Sequence, residues 1–502
     1  MEKKRGQWNT RSAFVLAAIG SAAGLGNAWR FPYTAYANGG GAFLIPYFVA
    51  LFTAGIPLII LEYAVGHKTQ QGAPGAFKKI KETWEGLGWW AVLISFVIMS
   101  YYGAIMAWIW KYLAGSFSVA WKSGVADYFY KEVLHLSSGP GELGGFSIPV
   151  LIGIVITWAF IYYILRNGVT GVGKVVMFTV PVPVILLIVL AIRAVTLPGA
   201  IEGLTYYLQP DFSVLTDPQV WLAAYGQVFF SLSLGFGIMI AYASYLPEDS
   251  DITNNALITT FANCGISFLS GFGIFGTLGY MAQAKGVAVS EVVDAGVGLA
   301  FVTYPEAISL LPGGPVAQTI FALVFFLILL TLGIDSAFSI TESVIAGFDD
   351  KWPGKKKKVI QLVCLSGLGA GLLFATKGGL YWLDIIDHFV NGFGLAVVGL
   401  FECIIIGWVY GPKNLREYIN PISEIKIGAW WDIMIKYITP LILIWSVVNS
   451  VIQEFSKPYG DYPQWALNVG WGVAIGAVVL GFAVFAKMKG TEETVEQEGI
   501  NA

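Results

Sequence analysis

The sequence predicts an all-α polytopic membrane protein with twelve transmembrane helices. Of its 502 residues, 56% are hydrophobic and only 12% are charged, which is unlike an ordinary soluble globular protein. Apolar runs of about 20 residues, each long enough to cross the hydrocarbon core, recur along nearly the whole chain. Two runs, the first and the sixth, are interrupted by glycine in the middle, and each opens a set of five.

The predicted spans are 11–37, 41–66, 88–115, 148–165, 172–192, 219–246, 254–282, 314–347, 357–375, 380–411, 430–453 and 465–487. Paired interrupted helices are typical of transporters built from inverted repeats. We therefore expect one transmembrane domain over 11–487, in which a first repeat of five spans is followed by an inverted second repeat. The segments are an N-terminal stretch 1–10, the repeats 11–192 and 219–411, two appended spans in 430–487 and a tail 488–502.

Lysine and arginine concentrate at one side of the predicted bundle. They are Lys3, Lys4, Arg5, Lys68, Lys78, Lys79, Lys81, Lys351 and Lys355 to Lys358. Cytoplasmic loops are enriched in basic residues, so we expect both termini in the cytoplasm and the protein in the plasma or inner membrane. The first run continues through its glycines without the short apolar core and cleavage site of a signal peptide.

The sequence does not support an enzyme or a nucleic-acid-binding protein. The cysteines fall inside predicted spans, where a free cysteine behaves as a small hydrophobic residue, and the histidines are too scattered for a metal cluster. The residues concerned are Cys264, Cys364, Cys403, His67, His135 and His388. Nothing resembles a nucleophile paired with its base.

The first span is not expected to be one continuous helix. Gly20, Gly24 and Gly26 interrupt it, and Arg30 and Pro32 follow. Lipid offers no partner for a freed backbone amide, so irregular backbone at membrane depth survives where it lines a site. An arginine inside a membrane span is also typical of a functional site. The alternative is that the glycines only allow helices to pack closely; we interpret the stretch as a binding site.

In the second span, Glu62 is a carboxylate at membrane depth and is suited to accept hydrogen bonds from amides freed by a broken neighbour. The sixth span contains its own break over 227–237. Residues 291–313 are apolar but rich in Pro and Gly, and we expect a hairpin of short helices that forms a lid. Asp335 lies deep in the eighth span, where a buried carboxylate needs a cation.

Four motifs together resemble the neurotransmitter:sodium symporter family, which includes the bacterial leucine transporter. They are 24–33 (GLGNAWRFPY), 38–43 (NGGGAF), 231–237 (SLSLGFG) and 242–245 (YASY). The resemblance runs from about residue 5 to the last span. It implies sodium-coupled symport of an amino acid by alternating access, with spans 1, 2, 6 and 7 rocking against spans 3, 4, 8 and 9.

The resemblance also implies a set of binding residues. The substrate would contact Ser21, Ala22, Leu25, Gly26, Ile98, Tyr102, Phe230, Ser231, Ser233, Phe236, Ser336, Ala337 and Ile340. One sodium ion would bind Ala22, Asn27, Ser231 and Asn263, and a second would bind Gly20, Ala23, Leu332, Asp335 and Ser336. The substrate carboxylate would meet the amides of Leu25 and Gly26 at the positive end of a half-helix, with Tyr102 as a further donor.

The expected substrate is a neutral amino acid with a small or medium apolar side chain. Monoamine carriers of the family have an aspartate where this chain has Gly24, because their substrates lack a carboxylate. The residues that would surround the side chain are mostly apolar, although one methylene changes affinity by only about 1–3 kcal/mol.

Chloride is the third expected ion. Many bacterial members carry a glutamate where this chain has Ser267 and a threonine where it has Asp335. The residues Tyr47, Gln227, Ser231, Asn263 and Ser267 match the chloride site of the animal carriers. Two sodium ions, a zwitterion and Asp335 leave one positive charge, which one chloride would balance. The alternative is that Ser267 is a packing residue and that protons or Glu62 compensate.

Two gates are implied by the resemblance. Arg30 and Asp387 would close the external side over Tyr102 and Phe230. The internal side would be closed by Arg5 and Asp350, supported by Trp8, Ser244 and Tyr245. Such pairs matter if they open and close, since permanently hydrated ion pairs contribute little.

Three other functions remain open at this point. A channel would need a symmetric ring of filter residues, whereas this chain has two unlike broken helices. A substrate sensor on the same fold would need a domain that carries a signal, and a proton-coupled relative would not need an intact set of sodium ligands. The expected partners are a small-molecule amino acid and the lipid bilayer, not nucleic acid; a homodimer is left open.

Overall fold

Helices make up nearly all of the regular structure in the computed structural model, which describes residues 6–294 and 296–490. Ten helices in this part are long and apolar enough to cross a membrane. They are Gly40–Thr69 (span 2), Glu82–Ser116 (span 3), Ile148–Leu165 (span 4), Gly168–Val195 (span 5), Ile252–Lys285 (span 7), Gly314–Lys351 (span 8), Lys356–Ala375 (span 9), Gly379–Tyr410 (span 10), Ala429–Ser456 (span 11) and Gln464–Lys487 (span 12).

Two further segments are broken helices. Span 1 consists of Arg11–Ala22 and Gly26–Ala37, which are bent by 53°. Span 6 consists of Pro218–Ser231 and Ile238–Ala243. The all-α polytopic fold, with breaks in the first and sixth segments, is therefore confirmed, and span 4 has the predicted bounds. By length and composition the described residues contain ten such helices, or eleven with span 1, and span 6 is not among them, so the count of twelve stays a prediction. The inverted relation of the two repeats stays a prediction.

Shorter helices connect the spans. They include Ala73–Ile80, Val125–Asp127, Ala200–Leu208, Gly296–Leu310 and Pro412–Ile422. The predicted hairpin at 291–313 is instead a single helix, Gly296–Leu310, preceded by the turn Val289–Glu291. Several spans contain π-helical turns, for example Leu51–Gly55 in span 2 and Val390–Leu395 in span 10.

Polar caps mark where three spans begin. The Thr10 hydroxyl accepts from the amide of Ala13 at 3.1 Å, and the Asp251 carboxylate accepts from the amide of Asn254 at 2.9 Å. Asp217 caps span 6 and is followed by Pro218 at the first helical position. A side-chain oxygen at the cap and a proline without an N–H group both suit a helix start.

Burial separates central spans from peripheral ones. In the most apolar 18-residue window of span 3, 83% of the residues are buried, against 22% in span 11 and 17% in span 12. Span 1 packs against spans 5, 7 and 8, and span 6 packs against spans 2 and 8 and against span 1, which brings the two helix breaks together. Spans 11 and 12 lie at the edge and present apolar side chains outward, as expected of lipid-facing helices.

Candidate substrate and ion site

A cavity of about 730 Å³ lies against both helix breaks and extends to Tyr459 and Tyr462. We call the part beside these two tyrosines the vestibule. Twelve of the thirteen residues expected to contact substrate line the cavity. The exception is Ala337, which is fully buried; successive residues of a helix point about 100° apart, so it does not share the face of Ser336.

The break in span 1 leaves a short non-helical connection between two half-helices. The first half ends at Ala22, and the chain leaves the helix at Ala23 (ψ 76°). The amide of Gly24 donates to Ala22 O at 3.0 Å and to Asn27 Oδ1 at 3.0 Å. A Cβ atom on Gly24 would lie 2.6 Å from Ser336 Oγ, and one on Gly26 would lie 2.8 Å from the Phe230 ring. Both glycines are needed because neighbouring elements approach this closely.

The break in span 6 differs in its backbone. Ser233, Gly235 and Gly237 have φ angles of 54°, 77° and 70°, the left-handed region that favours glycine. The amide of Gly235 donates to Glu62 Oε1 at 2.9 Å, and Glu62 is fully buried. The predicted role of Glu62, accepting an amide freed by a broken neighbour, is confirmed by this contact.

The expected ligands of the first sodium ion lie within hydrogen-bonding distance of one another. Asn27 Nδ2 donates to Asn263 Oδ1 at 2.7 Å, and Asn263 Nδ2 donates to Ser231 Oγ at 2.8 Å. Ala22 is buried and lines the cavity beside them. Asn27, Ser231 and Asn263 come from spans 1, 6 and 7, so the two breaks and span 7 converge on one cluster of oxygen atoms.

The expected ligands of the second sodium ion surround Asp335. Its Oδ1 accepts from Thr179 Oγ1 at 2.6 Å, whereas its buried Oδ2 has no hydrogen-bond partner among the described residues. Oδ2 faces the backbone of Gly20, since a Cβ there would lie 2.8 Å away. Ser336 Oγ lies 3.4 Å from Leu332 O. An unpaired carboxylate oxygen beside backbone carbonyls suits a hard cation, and Ala23 lies at the adjoining helix end.

The five residues expected at the chloride site are all buried. Ser267 Oγ accepts from Asn27 Nδ2 at 2.7 Å, and the Tyr47 hydroxyl lies 3.2 Å from Cys264 Sγ. Both polar atoms of the Gln227 amide lack a hydrogen-bond partner in the described part of the chain. A buried amide normally has a partner, so the Gln227 amide is able to bind one more polar or charged species.

At the floor of the cavity, the Ser21 hydroxyl is buried without a hydrogen-bond partner among the described residues. The buried Tyr102 hydroxyl lies beside the Leu25 amide and the Ser336 hydroxyl but makes no hydrogen bond of ordinary geometry with a described residue. The Ser21 carbonyl accepts from Ser233 Oγ at 3.1 Å and from Ser336 Oγ at 3.4 Å. The second half-helix of span 1 begins at Gly26, which lines the same cavity, and the amino end of a helix favours an anionic group.

The vestibule side of the cavity is open. Arg30 and Asp387 do not form an ion pair within 4.0 Å. The exposed Arg30 guanidinium instead lies 4.6 Å from the centre of the Phe230 ring. The Asp387 carboxylate accepts from the Tyr101 hydroxyl at 2.6 Å and from Asn391 Nδ2 at 2.5 Å. The two predicted gate residues line one cavity but are not in contact.

The end of the molecule opposite the vestibule is closed by packed side chains. Trp8 Nε1 donates to Tyr242 O at 2.9 Å, and the Trp8 amide donates to Tyr245 O at 3.1 Å. Trp8, Ser244 and Tyr245 are all buried. Arg5 lies outside the described residues, so its predicted pairing with Asp350 stays a prediction. The remaining gate contacts are those of Asp350 Oδ2, which accepts from the amide of Gly72 at 2.6 Å, and Ser244 Oγ, which donates to Ala241 O at 2.5 Å.

Sequence reasoning missed the partners that hold several of these groups. Thr179 donates to Asp335, Tyr101 and Asn391 donate to Asp387, and the Tyr245 hydroxyl donates to Glu342 Oε1 at 2.8 Å. Asn391 could have been found, because it follows Asp387 by four residues on one helix face. The others come from distant parts of the chain, and no local pattern marks them.

Comparison with known proteins places the chain among sodium-dependent carriers. The family described as the sodium:neurotransmitter symporter family matches residues 5–124 and 119–491. An uncharacterized sodium-dependent transporter of Methanocaldococcus jannaschii is 45% identical over 91% of this chain and 93% of its own length. The sodium- and chloride-dependent taurine transporter of Rattus norvegicus is 35% identical over 95% and 83%. The sodium- and chloride-dependent GABA transporter 2 of Homo sapiens is 36% identical over 95% and 87%.

Proposed function

The chain belongs to the sodium:neurotransmitter symporter family, and from this premise we propose that it imports a neutral amino acid together with two sodium ions and one chloride ion. It is a multi-pass membrane protein and a sodium-dependent transporter, not an enzyme. The finer parts of the proposal concern its orientation, its substrate, its ion sites and its chloride dependence.

The proposed orientation places the closed end in the cytoplasm and the vestibule outside the cell. Lys78 and Lys79 lie near the closed end, as does Lys351 at the end of span 8. Basic residues are enriched on the cytoplasmic side of membrane proteins. In this orientation, the described conformation is open to the outside and closed to the inside, as required of a carrier that waits for external substrate.

The observation that carries the substrate proposal is the pair of polar elements at the cavity floor. The buried Tyr102 hydroxyl makes no hydrogen bond of ordinary geometry with a described residue, and it lies beside the Leu25 amide at the positive end of the half-helix that starts at Gly26. A carboxylate satisfies both at once. The substrate ammonium group would then be bound by the carbonyls near Phe230 and Ser231, where the break in span 6 frees backbone acceptors.

The substrate side chain would lie against Ile98, Phe236 and Ile340, which favours a small or medium apolar group. Ser21 and Ser233 add hydroxyl groups to the same wall. A second candidate substrate is supported by the relatives, which are named as taurine and GABA transporters. Those substrates separate the acidic group from the amine by additional carbons, so a competition assay distinguishes them from an α-amino acid.

Coupling to sodium would follow from shared ligands. The first ion would bind oxygens of Ala22, Asn27, Ser231 and Asn263 together with the substrate carboxylate. The second would bind the carbonyls of Gly20, Ala23 and Leu332 with Asp335 and Ser336. Each set joins span 1 to another span, so bound sodium would stabilise the geometry of the break that the substrate also needs.

The substrate experiment is a binding screen on purified full-length protein. Labelled alanine, valine, leucine, isoleucine and methionine are tested in sodium and in potassium, with taurine and GABA as competitors. We expect saturable binding in sodium only, displaced by other neutral α-amino acids. Displacement by taurine or GABA alone would select the second candidate, and identical binding in potassium would contradict sodium coupling.

Chloride dependence is tested by Ser267→Glu. A fixed carboxylate at this buried position would replace the negative charge that we assign to chloride. We expect uptake by the unmodified protein to be several-fold higher in chloride than in gluconate, and uptake by the variant to be the same in both. Ser267→Ala, which adds no charge, is the matched control and should not become chloride-independent. Equal uptake by the unmodified protein in the two salts would refute the chloride site.

A further inference from the structure

The vestibule wall contains a connected group of polar side chains that the proposed transport cycle does not use. The outer half of span 10, Gly379–Phe389, carries Asp384, Asp387 and His388 within about one turn. The segment 457–463, between spans 11 and 12, lies against it. Asp384 and His388 line the cavity, although the sequence analysis assigned no role to either.

The contacts form a closed circuit. His388 Nε2 lies 2.8 Å from Glu454 Oε2, and the imidazole is stacked on the Tyr459 ring with centroids 3.7 Å apart and planes 9° apart. Glu454 Oε1 accepts from the amide of Tyr459 at 3.2 Å. The hydroxyl groups of Tyr459 and Tyr462 donate to the two oxygens of Asp384 at 2.9 and 2.8 Å. We call these five residues the outer brace.

The two tyrosines remain hydrogen-bond donors over the physiological range. Burial and the nearby Asp384 carboxylate raise the pKa of Tyr459 and of Tyr462 well above the usual value for a tyrosine. Asp384 therefore keeps both donors. The second polar contact of the outer brace is the one between His388 and Glu454, which joins span 10 to span 11.

We propose that the outer brace holds the outer half of span 10 in the position where Asp387 receives Arg30, so that His388 is a positioning residue of the external gate. The inference rests on the proposed transport function. Asp387 is adjacent to His388 and three residues after Asp384, so tilting or rotating this half of the helix moves its carboxylate directly. If the Asp387 carboxylate is already held in place, only the Arg30 side chain has to become ordered when the gate closes, which lowers the entropy cost of closing.

The charged surroundings of His388 favour this effect. The titratable and charged groups that face it or its partners are Glu454 of span 11, Tyr459 and Tyr462 of the following segment, Tyr101 of span 3, Arg30 of span 1 across the cavity, and Asp384 and Asp387 of its own helix. Three of these are carboxylates. The hydrogen bond between the imidazole and the Glu454 carboxylate involves an ionised acceptor, and such bonds are stronger than those between neutral groups.

The test is the rate at which bound amino acid leaves purified full-length protein through the vestibule in sodium buffer. Because losing the contact between spans 10 and 11 frees the outer half of span 10, we expect His388→Gln and Glu454→Gln each to release roughly fivefold faster than the unmodified protein, which corresponds to about 1 kcal/mol. The double variant should be no faster than either. The control Asp127→Asn breaks the exposed pair with Lys131 (2.8 Å) and should follow the unmodified protein.

Two results would overturn the proposal: the release rate of the unmodified protein in both His388→Gln and Glu454→Gln, or a double variant that releases faster than either single variant. Normal sodium-dependent binding at equilibrium shows that each variant is folded, so a faster release rate is not a folding defect. Absence of sodium-dependent binding in the unmodified protein is a different result, because it would refute the transport function itself.

Discussion

The two helix breaks line the same cavity, yet they are made in different ways. In span 1, none of residues 23–27 has a positive φ, and Gly24 and Gly26 are needed because Ser336 and Phe230 approach them closely. In span 6, three residues of the break adopt left-handed backbone, and one freed amide is bound by Glu62. The first break is shaped by its neighbours and the second by its own backbone.

Because the two breaks are made differently, we expect the first to matter mainly for ligand binding and the second mainly for the stability of the fold. Atoms at the break in span 1 line the cavity and lie beside the predicted ion ligands. A change there should therefore mainly affect ligand binding. Atoms at the break in span 6 are held in conformations that are costly for most residues, so a change there should mainly affect folding.

The largest effect is expected for Gly26→Ala. The new methyl group would lie 2.8 Å from the Phe230 ring and would displace it from the cavity wall, and sodium-dependent substrate affinity should fall by about 100-fold, or roughly 2.7 kcal/mol. Melting temperature should change little. The matched control is Gly226→Ala, in the first half of span 6, where a Cβ meets nothing within 4 Å. Equal affinity in the two variants would contradict our interpretation of the first break.

A smaller effect, on stability, is expected for Gly235→Ala. Its φ of 77° costs an L-residue about 1–2 kcal/mol, and the new Cβ would lie 2.8 Å from Leu395 O, a backbone atom that cannot move aside cheaply; overpacking adds roughly 1–3 kcal/mol. Gly286→Ala has a φ of 70° but open space around its Cβ, so it isolates the backbone cost. The melting temperature in detergent should fall more for Gly235→Ala. If both variants have the same melting temperature, the close contact with Leu395 O does not contribute to the loss of stability.

The smallest effect tests the hydrogen bond that holds the second break. Glu62→Ala leaves the buried amide of Gly235 without its acceptor, which should cost about 1–3 kcal/mol. Glu62→Gln keeps a carbonyl oxygen in nearly the same place, so its cost should be under about 1 kcal/mol. Thermal unfolding of the two variants distinguishes the hydrogen bond from the charge. Equal destabilisation would mean that the charge, not the acceptor, is what Glu62 contributes.

The sequence predicted the spans well because membrane helices have a strong and local signal. Span 4 begins and ends where its apolar run does, and the glycines of span 1 marked its break. The glycine pattern of span 6 marked the second break as well, but it did not distinguish the left-handed conformation of Ser233 from ordinary helix. Nothing local signals it, because serine seldom adopts that conformation.

The partners within the site were less predictable. Arg30 and Asp387 have opposite charges and line the same cavity, yet Asp387 is bound by Tyr101 and Asn391 and Arg30 lies over Phe230. Charge alone does not tell which conformation of a gate is populated. Contacts such as Thr179 with Asp335 join residues 156 positions apart, so they depend on how helices pack and not on sequence pattern.

The central claim is that sodium and substrate share the break in span 1, and equilibrium binding of a labelled neutral amino acid over a range of sodium concentrations tests it most directly. We predict that substrate affinity rises with sodium, that sodium affinity rises by the same factor with substrate, as thermodynamic linkage requires, and that Gly26→Ala removes both effects. Substrate affinity that is the same at every sodium concentration would contradict the claim.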